Sequence, residues 1–268
     1  AIPNNGVAPT VQITTDADNN TYVNAAELGN ATSFTVKASF DRTKVALGDK
    51  VLFSDGITTN TVTLVQADLT AGFVTTTYTA PADGGTLTVT AKLQDGPGNA
   101  TPNSASDAAT LDITAPLTTL TIDAISDDTG ANSTDFITND NNGLTLSATL
   151  STALVGGEKL FYSKDNGATW TDITTSVSGT AVSHVDNSLT STATVKMRVQ
   201  DTAGNAGAAD SQLITIDNVA PAPVVNPEDP INPPAGKASL TVDAVTADNI
   251  VNAAEGASTV AVTGTARG

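Results

Sequence analysis

Asp16, Asp18, Asn20, Tyr22, Asn24 and Glu27 are oxygen-bearing residues set at alternate positions and closing on a carboxylate. Counted from Asp16 they fall at positions 1, 3, 5, 7, 9 and 12, the ligand spacing of an EF-hand calcium loop. Tyr22 would offer its carbonyl and Glu27 both carboxylate oxygens. Hard oxygen donors in this number favour Ca2+ over Zn2+ or Cu2+ if a metal binds. The loop departs from the pattern at Thr21, where the sharp turn takes Gly, and strand-like sequence flanks it. The plain alternative is a polar connection between two strands with a solvated face.

A second acidic stretch, with Asp123, Asp127, Asp128, Asp135 and Asp140, lacks the alternate spacing. Exposed like charges about 4 Å apart repel by roughly 1 kcal/mol in water, and by several-fold more where the dielectric falls. A bound cation removes that cost.

Other chemistry is poorly supplied. Asp plus Glu number 28 against 11 Lys plus Arg, a net charge of −17. That balance disfavours nucleic acid and anionic lipid, whose affinity comes from Lys and Arg neutralising phosphates. The absence of Cys excludes disulfides and thiolate chemistry. No apolar run approaches the roughly 18 residues needed to cross a bilayer. His184 is the sole histidine, lies in an alternating polar segment and is expected as an exposed strand residue. No nucleophile–base motif accompanies it, so an enzyme is not expected. Ser163 to Trp170 fits S-x-D-x-G-x-T-W, which is similar to the Asp-box of sialidases, a hairpin turn distant from their active site. Here it reads as a structural turn with Trp170 packed on the sheet. An exposed Trp170 beside a concave face would instead point to sugar binding.

The elements that must position these groups repeat. Val7-Ala8-Pro9 returns as Thr114-Ala115-Pro116 and Val219-Ala220-Pro221, a period of about 105 residues. Leu93 to Ala100 matches Val199 to Ala206 in the same phase, and Leu111-Asp112 matches Ile216-Asp217. Within each repeat apolar residues alternate: Phe34, Val36, Ala38 and Phe40, then Leu87, Val89, Ala91 and Leu93, and in the second Leu144, Leu146, Ala148 and Leu150. Period-2 patterning with Val, Leu and Thr predicts strands, and no segment has helical periodicity. About seven short strands per repeat, separated by Gly, Asn and Asp turns, predict an all-β chain of tandem immunoglobulin-like β-sandwiches without disulfides, arranged end to end.

The expected organisation is a first repeat over 1–115, a second over 116–221, a Pro-rich linker over 222–237 in polyproline II, and the start of a third repeat over 238–268. Two uncovered strands cannot repay the entropy of ordering, so the last segment is expected to fray or to pair with a neighbouring copy. The first residues lack a signal-peptide pattern, and the chain reads as a piece of something longer. In such a sandwich the connection after the first strand lies at the exit end and the last hairpin loop at the entry end. The Asp16 to Glu27 loop should therefore face the Asp201 to Asn205 loop of the next repeat, with Asp112 close by. Asp127, Asp128 and Asp217 should face the third repeat.

Tyr22-Val23-Asn24-Ala25-Ala26-Glu27 and Asp248 to Glu255 resemble the D-N-x-[IV]-N-A-A-E stretch of immunoglobulin-like repeats in giant type I-secreted bacterial adhesins of the RTX and biofilm-associated kind. Thr134 to Asp140, Asp165 to Trp170 and Asp201 to Asn205 are similar to the same repeats. The resemblance implies an extender arm of a cell-adhesion protein, outside a Gram-negative cell, stiffened by Ca2+ within and between domains. It implies that Asp16, Asp18, Glu27, Asp112 and Asp201 serve the first junction, and Asp127, Asp128, Asp140 and Asp217 the second. The implied partners are the adjacent repeats of the same chain, with any host-surface or biofilm-matrix ligand bound elsewhere in the parent. A carbohydrate- or protein-binding module is the alternative function.

Overall fold

The computed structural model describes residues 2–130, 132–220, 239–245 and 261–267. Among them run β1 (Thr10–Ile13), β2 (Tyr22–Val23), β3 (Ser33–Ser39), β4 (Lys50–Ser54), β5 (Thr59–Thr63), β6 (Phe73–Thr79), β7 (Thr86–Gln94) and β8 (Asp107–Leu111). These form a three-stranded sheet, β1-β3-β6, facing a five-stranded sheet, β2-β8-β7-β4-β5. The pattern repeats with β9 (Leu120–Ile125), β10 (Ile137–Thr138), β11 (Leu144–Leu150), β12 (Lys159–Ser163), β13 (Thr171–Asp172), β14 (Val177–Ser178), β15 (Ala181–Asp186), β16 (Ala193–Gln200) and β17 (Asp210–Ile216). Here a four-stranded sheet, β14-β15-β11-β9, faces the five-stranded β10-β17-β16-β12-β13. Both are immunoglobulin-like sandwiches, and the chain is all-β in architecture.

Alternation explains the two cores. In β3, Phe34, Val36 and Ala38 are all fully buried, and they meet Val89, Ala91 and Leu93 of β7 from the opposite sheet. Leu144, Leu146, Ala148 and Leu150 of β11 meet Val195, Met197 and Val199 of β16 in the second core. Burying one such side chain contributes about 1.5–3 kcal/mol. Aliphatic residues and threonine suit this pleated packing.

The first strand of each sandwich changes sheets. β1 pairs antiparallel with β3, the chain crosses over, and β2 pairs in parallel with β8. β9 pairs with β11 and β10 with β17 in the same way. The acidic connections are these crossovers. An aspartate pins each one: Ile13 N–H donates to Asp107 Oδ2 at 2.6 Å, and Ile122 N–H to Asp210 Oδ2 at 2.7 Å.

Two features differ from the sequence expectation. Short helices are present, α1 (Ala25–Leu28) and α2 (Gln66–Ala71), each too brief to show a 3.6-residue period. Strands among the described residues number eight and nine per sandwich because β2, β10, β13 and β14 hold two residues each, below the length at which alternation is readable. The Pro-rich stretch lies outside the described residues. Of 238–268, β18 (Ser239–Val242) and β19 (Gly264–Arg267) pair antiparallel with each other.

Candidate metal centre

The first crossover gathers three carboxylates. Oxygens of Asp16, Asp18 and Glu27 lie within 4.8 Å of one another, and no other such group of three occurs among the described residues. Two oxygens bound to one Ca2+ at 2.3–2.6 Å sit at most about 5 Å apart, so the spread fits one hard cation. Asp16 would supply the buried oxygen and Asp18 the exposed one, with Glu27 between them.

Local hydrogen bonding places each group. Asp16, 3% exposed, accepts from Asn20 N–H at 3.0 Å and Thr21 N–H at 2.9 Å. Asp18 accepts from Asn20, whose own Oδ1 accepts from Tyr22 N–H at 2.8 Å. Glu27 is the third residue of α1 and closes a capping box: Asn24 Oδ1 accepts from Ala26 and Glu27 N–H, while Glu27 Oε2 accepts from Asn24 N–H. Glu27 Oε1 reaches back to Ala17 N–H at 2.9 Å. Leu28 anchors the helix on the first core. The carbonyls of Thr21 and Val23 accept from Thr110 of β8 and from Asp112 just after it, so the Tyr22 carbonyl between them points away from that strand.

Thr21 carries the turn at φ +75°. A β-branched residue in that region is strained. The Asp16 carboxylate holds it there through the Thr21 N–H. Thr21→Gly is expected to stabilise the chain by about 1 kcal/mol, the relieved strain exceeding the added unfolded-state freedom. A higher urea midpoint with an unchanged m-value checks this.

Burial pushes the Asp16 carboxyl above its ordinary 3.8, with help from Glu27 and Asp18, while the Thr21 and Asn20 N–H groups pull it back. A raised folded pKa means stability that is full below 3.8 and lost as pH rises through the folded value. In EDTA, thermal melts should therefore show an Asp16 contribution that grows as pH falls toward 4, and Asp16→Asn should remove it. A bound cation would favour the carboxylate and reverse the sign.

The other expected ligands stand apart from this group. Asp201 closes its hairpin, accepting from Gly204 and Asn205 N–H at 2.8 Å each and from Asn205 Nδ2 at 3.0 Å. Asp112 accepts from Thr114 N–H through its carboxylate. In the second crossover Asp128 repeats the Asp16 role, accepting at 3.0 Å from the N–H of Phe136, which sits at φ +61° immediately before β10. The other Asp128 oxygen is buried without a hydrogen-bond partner. Asp127 accepts from Thr138 through its carbonyl, Asp140 accepts from Asn142 N–H, and Asp217 accepts from Val219 N–H. Asp127, Asp128, Asp140 and Asp217 do not form a group of three within 4.8 Å.

The two sandwiches meet beside the Asp16 group. Asn205, 7% exposed, accepts from Ala25 N–H at 3.0 Å and donates to the Asp112 carbonyl at 2.8 Å. Asn24 Nδ2 donates to the Ala203 carbonyl at 3.0 Å. A Cβ on Gly204, which sits at φ +100°, would stand 3.1 Å from Asn24 Nδ2. The matching turn of the first sandwich has the same internal bonds, Asn99 to Asp95, but a Cβ on Gly98 would meet nothing within 4 Å. The Asp201 to Asn205 turn thus faces the Asp16 to Glu27 loop with Asp112 close by, as the topology predicts, but Asn205 rather than Asp201 makes the contact.

His184 is half-buried rather than exposed. Its ring centre lies 4.7 Å from that of Tyr162, and burial lowers its pKa. Val182 and Asp186 on either side point inward, and the ring leans over the edge of the same core. Ser163 to Trp170 is a closed turn: Asp165 Oδ1 accepts from Thr169 N–H at 2.8 Å and from Ser163 Oγ at 2.7 Å. Trp170 is half-buried, with the Arg198 guanidinium 4.1 Å from its ring centroid. One ring face is thus covered by the Arg198 guanidinium.

No family model and no curated protein matches the chain. Solved structures do. The Ca2+-stabilized adhesin that helps an Antarctic bacterium reach out and bind ice is 24% identical, over 98% of this chain and 58% of that one, with a TM-score of 0.38. A tetra-tandem repeat in the extending region of a large adhesion protein is 24% identical, over 97% and 56%, with a TM-score of 0.25. Fibronectin(III)-like modules of Clostridium thermocellum CbhA are 15% identical, over 69% and 85%, with a TM-score of 0.45. The chain thus spans 58% of the length of the first of these. No helix among the described residues is long and apolar enough to cross a membrane.

Proposed function

We propose that this chain is a calcium-stiffened structural segment of a large bacterial surface adhesin, working outside the cell to hold a binding domain at a distance. The observation that carries the reading is the Asp16, Asp18 and Glu27 group, whose oxygens lie close enough for one cation, on the crossover that runs into Asn24 and Ala25 at the contact with the next sandwich. A cation there would neutralise three carboxylates and tie the Asp18 side of the loop to α1. Since α1 supplies the N–H that Asn205 binds, ordering the loop would also order the junction. The second crossover, with Asp127, Asp128, Asp140 and Asp217, is proposed as a weaker site that shares the Asp128 pin.

The experiment is a pair of measurements in millimolar calcium and in EDTA: thermal melting and small-angle scattering. Calcium should raise the melting temperature and lengthen the maximum dimension or narrow its distribution. Indifference of both to EDTA would sink the reading.

A further inference from the structure

We propose that the Asp95 to Asn99 turn of the first sandwich docks the exit end of another sandwich built like the first, the two joining head to tail. The turn is a second copy of the one already seated at the junction. Asp95 N–H donates to the Asn99 carbonyl at 2.9 Å, and Asp201 N–H to the Asn205 carbonyl at 3.0 Å. Asn99 N–H and Nδ2 donate to the Asp95 carboxylate at 2.7 and 2.8 Å, as Asn205 does to Asp201 at 2.8 and 3.0 Å. Gln94 Nε2 donates to the Gly98 carbonyl, and Gln200 Nε2 to that of Gly204. The two glycines share their backbone geometry, with φ at +99° and +100°.

Only the surroundings differ. Asn205 is buried against the first sandwich, whereas Asn99 is exposed, and among the described residues its side chain bonds to Asp95 alone. The filled junction defines what a partner must carry. Asn24 Nδ2 donates to the Ala203 carbonyl, Ala25 N–H donates to Asn205 Oδ1, and the Asp112 carbonyl accepts from Asn205 Nδ2. Pro97 stands in the place of Ala203, whose carbonyl alone makes the hydrogen bond across the junction, so the missing proline N–H is no obstacle. The complement of the turn is therefore an amide donor, a backbone N–H and a backbone carbonyl in that order.

The two exit ends of this chain are not alike in offering that set. Asn139 and Asp140 follow β10 as Asn24 and Ala25 follow β2, but the Asp140 N–H is already bonded to Thr138 Oγ1 at 3.0 Å. Asn99 Oδ1 would find no donor there, and an acceptor desolvated without a donor is costly. The first exit end keeps the Ala25 N–H available because the Asn24 side chain caps α1 through Ala26 and Glu27 instead. An exit end of the first kind is thus the occupant that completes the Asp95 to Asn99 turn. None of its three bonds involves a metal, so the docking stands apart from the calcium reading.

The probe is the first sandwich alone, residues 1–119 carrying Asn99→Ala, which keeps its own closed core and its exit end but not the turn. In the full chain the first exit end is filled by its own second sandwich, so pairing is one to one. Added to isotope-labelled full chain, in calcium and in EDTA, the probe should shift the amides of residues 96–100 and the Asn99 side-chain amide saturably. The expected Kd is about 0.1–1 mM, since the filled junction draws on an effective concentration of millimolar order that the untethered pair lacks. The Asn205 side-chain amide, already docked, should not move. In a labelled probe Asn24, Ala25 and Asp112 should shift in return, while the rest of its spectrum overlays the first sandwich of the chain. Asn99→Ala in the full chain should weaken binding about tenfold. The proposal is overturned by no saturable shift at residues 96–100 with millimolar probe in either condition, by shifts confined to other surfaces, or by undiminished binding of the Asn99→Ala chain. Docking in EDTA beside a melting curve indifferent to calcium would uphold this contact and sink the calcium reading alone.

Discussion

Saturating calcium should stabilise the first sandwich by about 2.7 kcal/mol at a hundredfold excess over Kd, which is roughly 10 °C in melting temperature, and Glu27→Gln should abolish most of that gain. On the proposed function calcium would bind only the folded loop, where the Asp16, Asp18 and Glu27 oxygens are within 4.8 Å, because the unfolded chain scatters them. Glutamine is the informative substitution because its one carbonyl oxygen still serves the capping box, so α1 is kept while a ligand charge and the bond from Ala17 N–H are lost. In EDTA the variant should melt within about 1 kcal/mol of the parent, since the removed charge faced two others and the cap survives. Asp16→Asn tests the same site from its buried side. A variant equally weakened with and without calcium would show Glu27 to be a cap alone.

The second large effect is expected at Asn205. Its side chain makes two bonds across the junction, to Ala25 N–H and the Asp112 carbonyl, and one to Asp201. Asn205→Ala should cost about 2 kcal/mol, the buried ends of those bonds losing their partners. The loss should appear as coupling: one cooperative melt splitting toward two, and a broader distribution of dimensions in scattering. Asn99→Ala is the control, since Asn99 has the same bonds to Asp95 and is exposed. Its expected cost is below about 1 kcal/mol, with no change in coupling. Gly204→Ala and Gly98→Ala form a parallel pair, because only the former puts a methyl against Asn24. Equal behaviour of the two turns would mean that the junction contributes nothing.

Particular residues mark what was legible. The strand faces were open to reading because alternation is local: Phe34, Val36 and Ala38 are buried as their spacing implies. The repeat was legible for the same reason, and so was the Asp16, Asp18 and Glu27 loop, whose members lie within twelve positions. At the facing turn the Asp201 carboxylate accepts from its own hairpin, while Asn205 reaches across the junction. The equivalence of Asp128 with Asp16 was hidden by loop length: one pins a residue five positions on, the other eight.

The sequence by itself determined the all-β class, the two aliphatic cores and the local acidic spacing, because each depends on residues a few positions apart and on side-chain chemistry alone. Tertiary structure decided which carboxylates converge, which turn residue bridges the sandwiches, and that Arg198 covers Trp170. Those outcomes join residues as far apart as Asn24 and Ala203, brought together by a crossover strand only two residues long. Such a strand is held by parallel pairing with the end of its own repeat, Tyr22 with Thr110 and Val23 with Leu111, a contact too distant in sequence for local patterning to reveal.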